Sequence, residues 1–96
     1  MNFPDSISHN ELHSGITLLE LLKALQEWRL RGWTGLQCTT VTSFVCQELA
    51  PHCKLLPEEV QPALEEIDRQ KPYTINRWET ESLCDLENRI RRIYKL

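Results

Sequence analysis

The residues best equipped for chemistry are three histidines, His9, His13 and His52, and four cysteines, Cys38, Cys46, Cys53 and Cys84. His9 and His13 are four apart, a spacing that puts two imidazoles on one helix face, and Cys46 or Cys53 would then have to complete a zinc site. No Cys-x-x-Cys pair and no second close ligand pair accompanies them. They read as two solvated histidines in a polar segment, and no metal or other cofactor is expected. A nucleophilic thiol needs a positioned base and a lowered pKa. Cys53, between His52 and Lys54, looks the most reactive of the four, but neighbours in sequence rarely supply that geometry. Cys38, Cys46 and Cys84 read as small core or boundary residues.

The 14 acidic residues lie on helix faces with basic partners and read as solvated rather than as a general acid–base pair. Gly15, Gly32 and Gly35 are scattered and form no phosphate-binding loop. There is no Gly-x-Ser-x-Gly elbow and no His-Glu-x-x-His. The expectation is a protein that is not an enzyme.

The chain of 96 residues is long enough for one domain and one core. Its net charge of −3 and pI near 5.6 argue mildly against duplex binding, which draws on a basic excess. The N-terminus has no basic stretch followed by an apolar run, and no segment approaches a membrane span. The cytoplasm is the default compartment, and there the cysteines are expected to be reduced and buried.

The expected fold is all-α, a small bundle of three long helices with one or two short ones. Residues 1–15 read as a polar N-terminal arm, although Ser8-His9-Asn10-Glu11 has capping-box form. Residues 16–96 read as a single helical domain. Thr17-Leu18-Leu19-Glu20 is a capping box, with Ile16 and Leu21 placed to form a hydrophobic staple. Leu18, Leu21, Leu22, Leu25 and Trp28 follow at helical spacing, with Lys23–Glu27 and Glu27–Arg31 as four-apart pairs. Gly32 reads as the stop, and Trp33 is expected to pack on Trp28.

Residues 34–38 read as a connection. Residues 39–50 mix strand-favouring composition with the helical spacing of Val41, Phe44, Val45 and Leu49. Helix is the better reading, with Thr39 or Thr40 as cap and Pro51 as stop. Pro57 opens another helical turn, and Pro62 predicts a break near Gln61 or a kink. The pattern then runs through Leu64 and Ile67 to Lys71, and Pro72 closes it.

The last helix starts after Thr74 or Asn76, where Asn76-x-x-Glu79 resembles a capping box, and runs about 18 residues, roughly 27 Å. Leu83, Leu86, Ile90 and Ile93 form its apolar seam, expected to pack on residues 17–31. Asp85–Arg89 and Glu87–Arg91 are four-apart pairs in the favourable order.

Two features suit a binding surface. Arg91, Arg92 and Lys95 form a basic stripe opposite the seam, fit for an acidic partner surface or, less well, nucleic acid. Residues 70–78 gather Tyr73, Arg77 and Trp78 around a connection, the composition of interface hot spots. The expected function is a non-enzymatic protein–protein interaction module: a small cytoplasmic regulator, adaptor or inhibitor. The seam also suits a homodimer, although two heptads are short for a free coiled coil. One rival is a DNA-binding regulator, which would lack a compact helix-turn-helix because residues 51–56 are too long a turn. The other is a metal or thiol protein using Cys46, Cys53 and a histidine.

Overall fold

Thr17 begins the first helix as its spacing predicts: its hydroxyl accepts the Glu20 N–H at 3.2 Å. The computed structural model describes residues 15–31 and 35–95, with side chains from Cys38 onward in the second stretch. Helix α1 spans Leu18–Leu30 and buries Leu18, Leu21, Leu22, Leu25 and Trp28. Ile16 packs against the same core, as a staple residue should. The histidine pair His9/His13, the capping-box motif of the arm, the Gly32 stop and the Trp28–Trp33 contact lie outside the described residues.

Helix α2 spans Gly35–Phe44 and continues through a π turn, Val45–Leu49, and a 3-10 turn, Ala50–His52. Residues 39–50 are therefore helical. The helix begins at Gly35, however, so residues 35–38 are not a connection and neither Thr39 nor Thr40 is its cap. Tertiary contacts override the low propensity of the Thr-rich stretch. Cys38, Val41 and Val45 reach the core, while Thr39, Thr42 and Ser43 bond to the last helix. The wider π turn lets the adjacent Val45 and Cys46 both face inward, with Leu49 beside them.

A 3-10 turn, Pro57–Glu59, precedes helix α3, Val60–Gln70. The break falls after Glu59, within two residues of Gln61. Pro62 then sits in the first turn of α3, where backbone N–H groups have no partner within the helix to lose. After a 3-10 turn, Lys71–Tyr73, helix α4 spans Arg77–Tyr94, with Lys95 in the left-handed conformation at its end.

The chain is an all-α small domain. Helix α1 lies along α3 and α2 along α4, with α3 also against α4. Each long pair runs in one direction. Thr17 bonds to Glu59 before α3, and Gln70 at the end of α3 bonds to Leu22 and Arg29. In the other pair Thr39 meets Asn76, Thr42 meets Glu79 and Ser43 meets Ser82. The seam of α4 thus packs chiefly on α2 and α3, not on residues 17–31. One apolar cluster nevertheless unites the four helices.

Two backbone bonds, Leu18 N–H to Lys54 O at 2.7 Å and Lys54 N–H to Ile16 O at 3.2 Å, clip the start of α1 to the loop before α3. Gly15 allows this approach: its φ is +100°, and a Cβ there would stand 2.7 Å from the Lys54 side chain.

Leu83, Leu86 and Ile90 are buried as predicted, but Ile93 is 62% exposed and does not belong to the seam. Tyr94 closes the core instead, half-buried, with its hydroxyl donating to Leu55 O at 2.9 Å. No helix among the described residues is long and apolar enough to cross a membrane.

Candidate functional site

The α3–α4 connection is short and heavily hydrogen-bonded. Thr74 donates its N–H and its hydroxyl to Lys71 O, and its hydroxyl also meets that of Thr80 at 2.7 Å. Asn76 caps α4 through Glu79 N–H at 3.1 Å and reaches across to Thr39 at 2.5 Å. Glu79 returns the cap one residue further out, accepting the Ile75 N–H at 2.9 Å. These bonds hold in place a segment that turns three large apolar side chains outward. Tyr73 and Ile75 are each 53% exposed, and Trp78 is 60% exposed. Arg77 beside them is exposed and approaches Glu81 at 3.9 Å.

Beneath this segment lies a polar node in which two carboxylates, Glu66 and Glu79, are buried rather than solvated. Glu79 is fully buried, and Arg29 and Glu66 nearly so. Arg29 donates to Gln26 at 2.8 Å, Gln70 at 3.1 Å and Thr42 at 3.0 Å, and lies 3.4 Å from Glu79. Thr42 donates to Glu79 at 3.0 Å. Gln70 donates to Leu22 O and to Glu66, which Arg69 pairs from the rim. The end of α1, the middle of α2, the end of α3 and the start of α4 meet here. Arg29 and Gln70 fall on the inward faces of their helices at the same spacing as the apolar residues. That positional signal was open to sequence reading, but the side-chain type masked it.

The basic end is a separate place. Arg91, Arg92 and Lys95 are all exposed, and Arg91 is drawn to Glu87 at 3.6 Å. Glu87 also takes Lys71 at 2.9 Å, and Asp68 takes it at 3.0 Å. These carboxylates, Glu87 first, hold the Lys71 ammonium above its ordinary range. Arg92 and Lys95 have no ion pair among the described residues. Nor do the expected pairs Lys23–Glu27, Glu27–Arg31 and Asp85–Arg89 close there. Arg89, Arg92 and Ile93 line one shallow depression, and Asn88, Arg91, Arg92 and Lys95 line its neighbour. The six predicted contact residues are thus divided. Tyr73, Arg77 and Trp78 sit at one end of α4, and Arg91, Arg92 and Lys95 at the other, about 20 Å apart at 1.5 Å per residue.

Two of the thiols, Cys46 and Cys53, are poorly placed to form a thiolate. Burial pushes Cys46 up to about 12 and Cys53 up to about 11, from an ordinary 9.0. His52 is exposed, and the described residues hold no cluster of three or more His, Cys, Asp or Glu arranged for a metal ion.

A thiol whose pKa is raised on folding contributes stability that is present below its unfolded value and lost as pH rises toward its folded value. The urea midpoint should therefore be level below about pH 9 and fall from there toward pH 11. The fall should be shallower in Cys46→Ala. A midpoint that rises across this window would contradict the burial argument.

The fold and these surfaces define a small all-α domain with a buried polar node and an exposed aromatic turn. No protein-family model, no curated protein and no solved structure matches the chain.

Proposed function

We propose that the protein is a non-enzymatic protein–protein interaction module, a small cytoplasmic regulator, adaptor or inhibitor that occupies a partner's surface. One observation carries this reading: Tyr73, Ile75 and Trp78, three large apolar side chains within six residues, stand exposed on a segment braced by its own hydrogen bonds. Large apolar side chains so held cost little ordering entropy on binding, which is how hot-spot anchors work. The exposed basic residues Arg91, Arg92 and Lys95 suit a partner with acidic groups about one helix length from its apolar pocket.

The partner is to be identified by affinity purification and its binding then measured by titration calorimetry. Trp78→Ala is expected to weaken binding about 30-fold, the effect of losing an anchor of about 2 kcal/mol. Arg92→Glu should weaken it by a smaller factor that shrinks with added salt. Affinity unchanged in both variants would defeat the proposal.

A further inference from the structure

The outer face of α4 carries a charge pattern that its own chain leaves unanswered. At 100° per residue, Trp78, Glu81, Asp85, Arg89 and Arg92 fall within one sector of about 80°, with Ile93 about 40° beyond its edge. The buried residues Glu79, Leu83, Leu86 and Ile90 lie about 100–160° from its centre, and buried Ser82 adjoins its edge beside Arg89. Along this outer strip the order is aromatic, acidic, acidic, basic, basic. Asp85, Arg89 and Arg92 have no ion pair among the described residues, and Glu81 has only Arg77 at 3.9 Å. Trp78 is 60% exposed at one end. At the other, Arg89, Arg92 and Ile93 line a shallow depression that offers one aliphatic side chain and two guanidinium groups, chemistry that suits an indole.

We propose that a second copy of this chain occupies the strip, with the two α4 helices antiparallel about a two-fold axis level with Leu86. A two-fold contact is self-complementary, so each side must carry both halves of every pair. Within about half a helical turn, the axis sets Trp78 of each copy over the other's Arg89–Arg92–Ile93 depression. It sets Glu81 against Arg92 and Asp85 against Arg89. The parallel arrangement instead stacks acid on acid and base on base, which repel. The inference rests on reading α4 as an interaction face and names one occupant of it. Because the contact is one helix long, it belongs with small interfaces, and the expected Kd is about 10–100 µM.

Sedimentation velocity on the full chain alone, from about 1 to 500 µM, tests this. A monomer–dimer equilibrium that weakens with salt is expected. Trp78→Ala and Asp85→Arg should each raise Kd at least about tenfold. Arg89→Asp should do the same, and the double variant Asp85→Arg/Arg89→Asp should return to within about threefold of the parent, since each pair is re-formed with its signs exchanged. Far-UV circular dichroism verifies that the variants keep the fold. A chain that stays monomeric to the top concentration overturns the proposal and leaves the assay against a different partner standing. A dimer indifferent to Trp78→Ala and Asp85→Arg also overturns it, because the contact then lies elsewhere.

Discussion

Replacing Glu79 with alanine is expected to destabilise the protein by about 3–5 kcal/mol, the usual consequence of removing one partner of a buried ion pair. Both side chains are almost wholly out of water, at 5% exposure for Arg29 and 0% for Glu79. Without the carboxylate, the Arg29 charge stays buried with only neutral acceptors. Thr42 loses the oxygen to which it donates, and the Ile75 N–H loses its partner at the start of α4. A domain of this size holds about 5–15 kcal/mol in all, so the variant should approach the threshold of folding. Glu79→Gln keeps one acceptor for Thr42 and Arg29 and should lose less.

The size of this loss does not make the pair a large source of stability. Arg29 Nε is buried with no hydrogen-bond partner among the described residues, and an unsatisfied buried donor costs about 1–3 kcal/mol. Joint replacement by apolar residues, Arg29→Met with Glu79→Leu, is therefore expected to destabilise less than Glu79→Ala alone. Urea unfolding of the three variants decides. A loss below about 1 kcal/mol in Glu79→Ala would mean that the charge is not desolvated as the geometry requires.

Trp28→Ala should cost about 3–5 kcal/mol. Its indole is fully buried in the last turn of α1, one residue before Arg29, where the apolar core meets the polar node. The loss combines transfer of the largest core side chain with a cavity that the packed leucines around it can only partly fill. Trp28→Phe should lose less. Trp78→Ala, at an exposed position, should change stability by no more than about 0.5 kcal/mol. The two tryptophan variants thus separate core from contact surface in one experiment. A larger loss from Trp78→Ala than from Trp28→Ala would reverse the assignment.

Periodicity and caps carried much of the local structure. Thr17 and Asn76 cap where their motifs place them, because a capping oxygen bonds within its own turn and needs no other part of the chain. The apolar spacing of α1, and of Leu83, Leu86 and Ile90 in α4, identified the buried faces. The exposed turn at Tyr73–Trp78 was legible from Pro72 just before it and from its aromatic content.

Other features were set by neighbours that are distant in sequence. The threonine-rich stretch of α2 is helical because Thr39 and Thr42 bond across to the start of α4, an outcome that propensity opposes. Ile93 continues the apolar spacing but is exposed, since spacing says which way a residue points and not whether anything stands there. Arg29, Gln70 and Glu79 show the same limit from the other direction. Their positions are inward, but a charged or amide side chain is buried only where several helices bring donors and acceptors to meet it. The sequence by itself determined the all-α class, the caps and the apolar faces, all consequences of bonds and periods a few residues long. Only the tertiary structure decided which helices pair, where the polar node forms and which apolar residues stay outside, because each depends on groups some 10 to 50 residues apart.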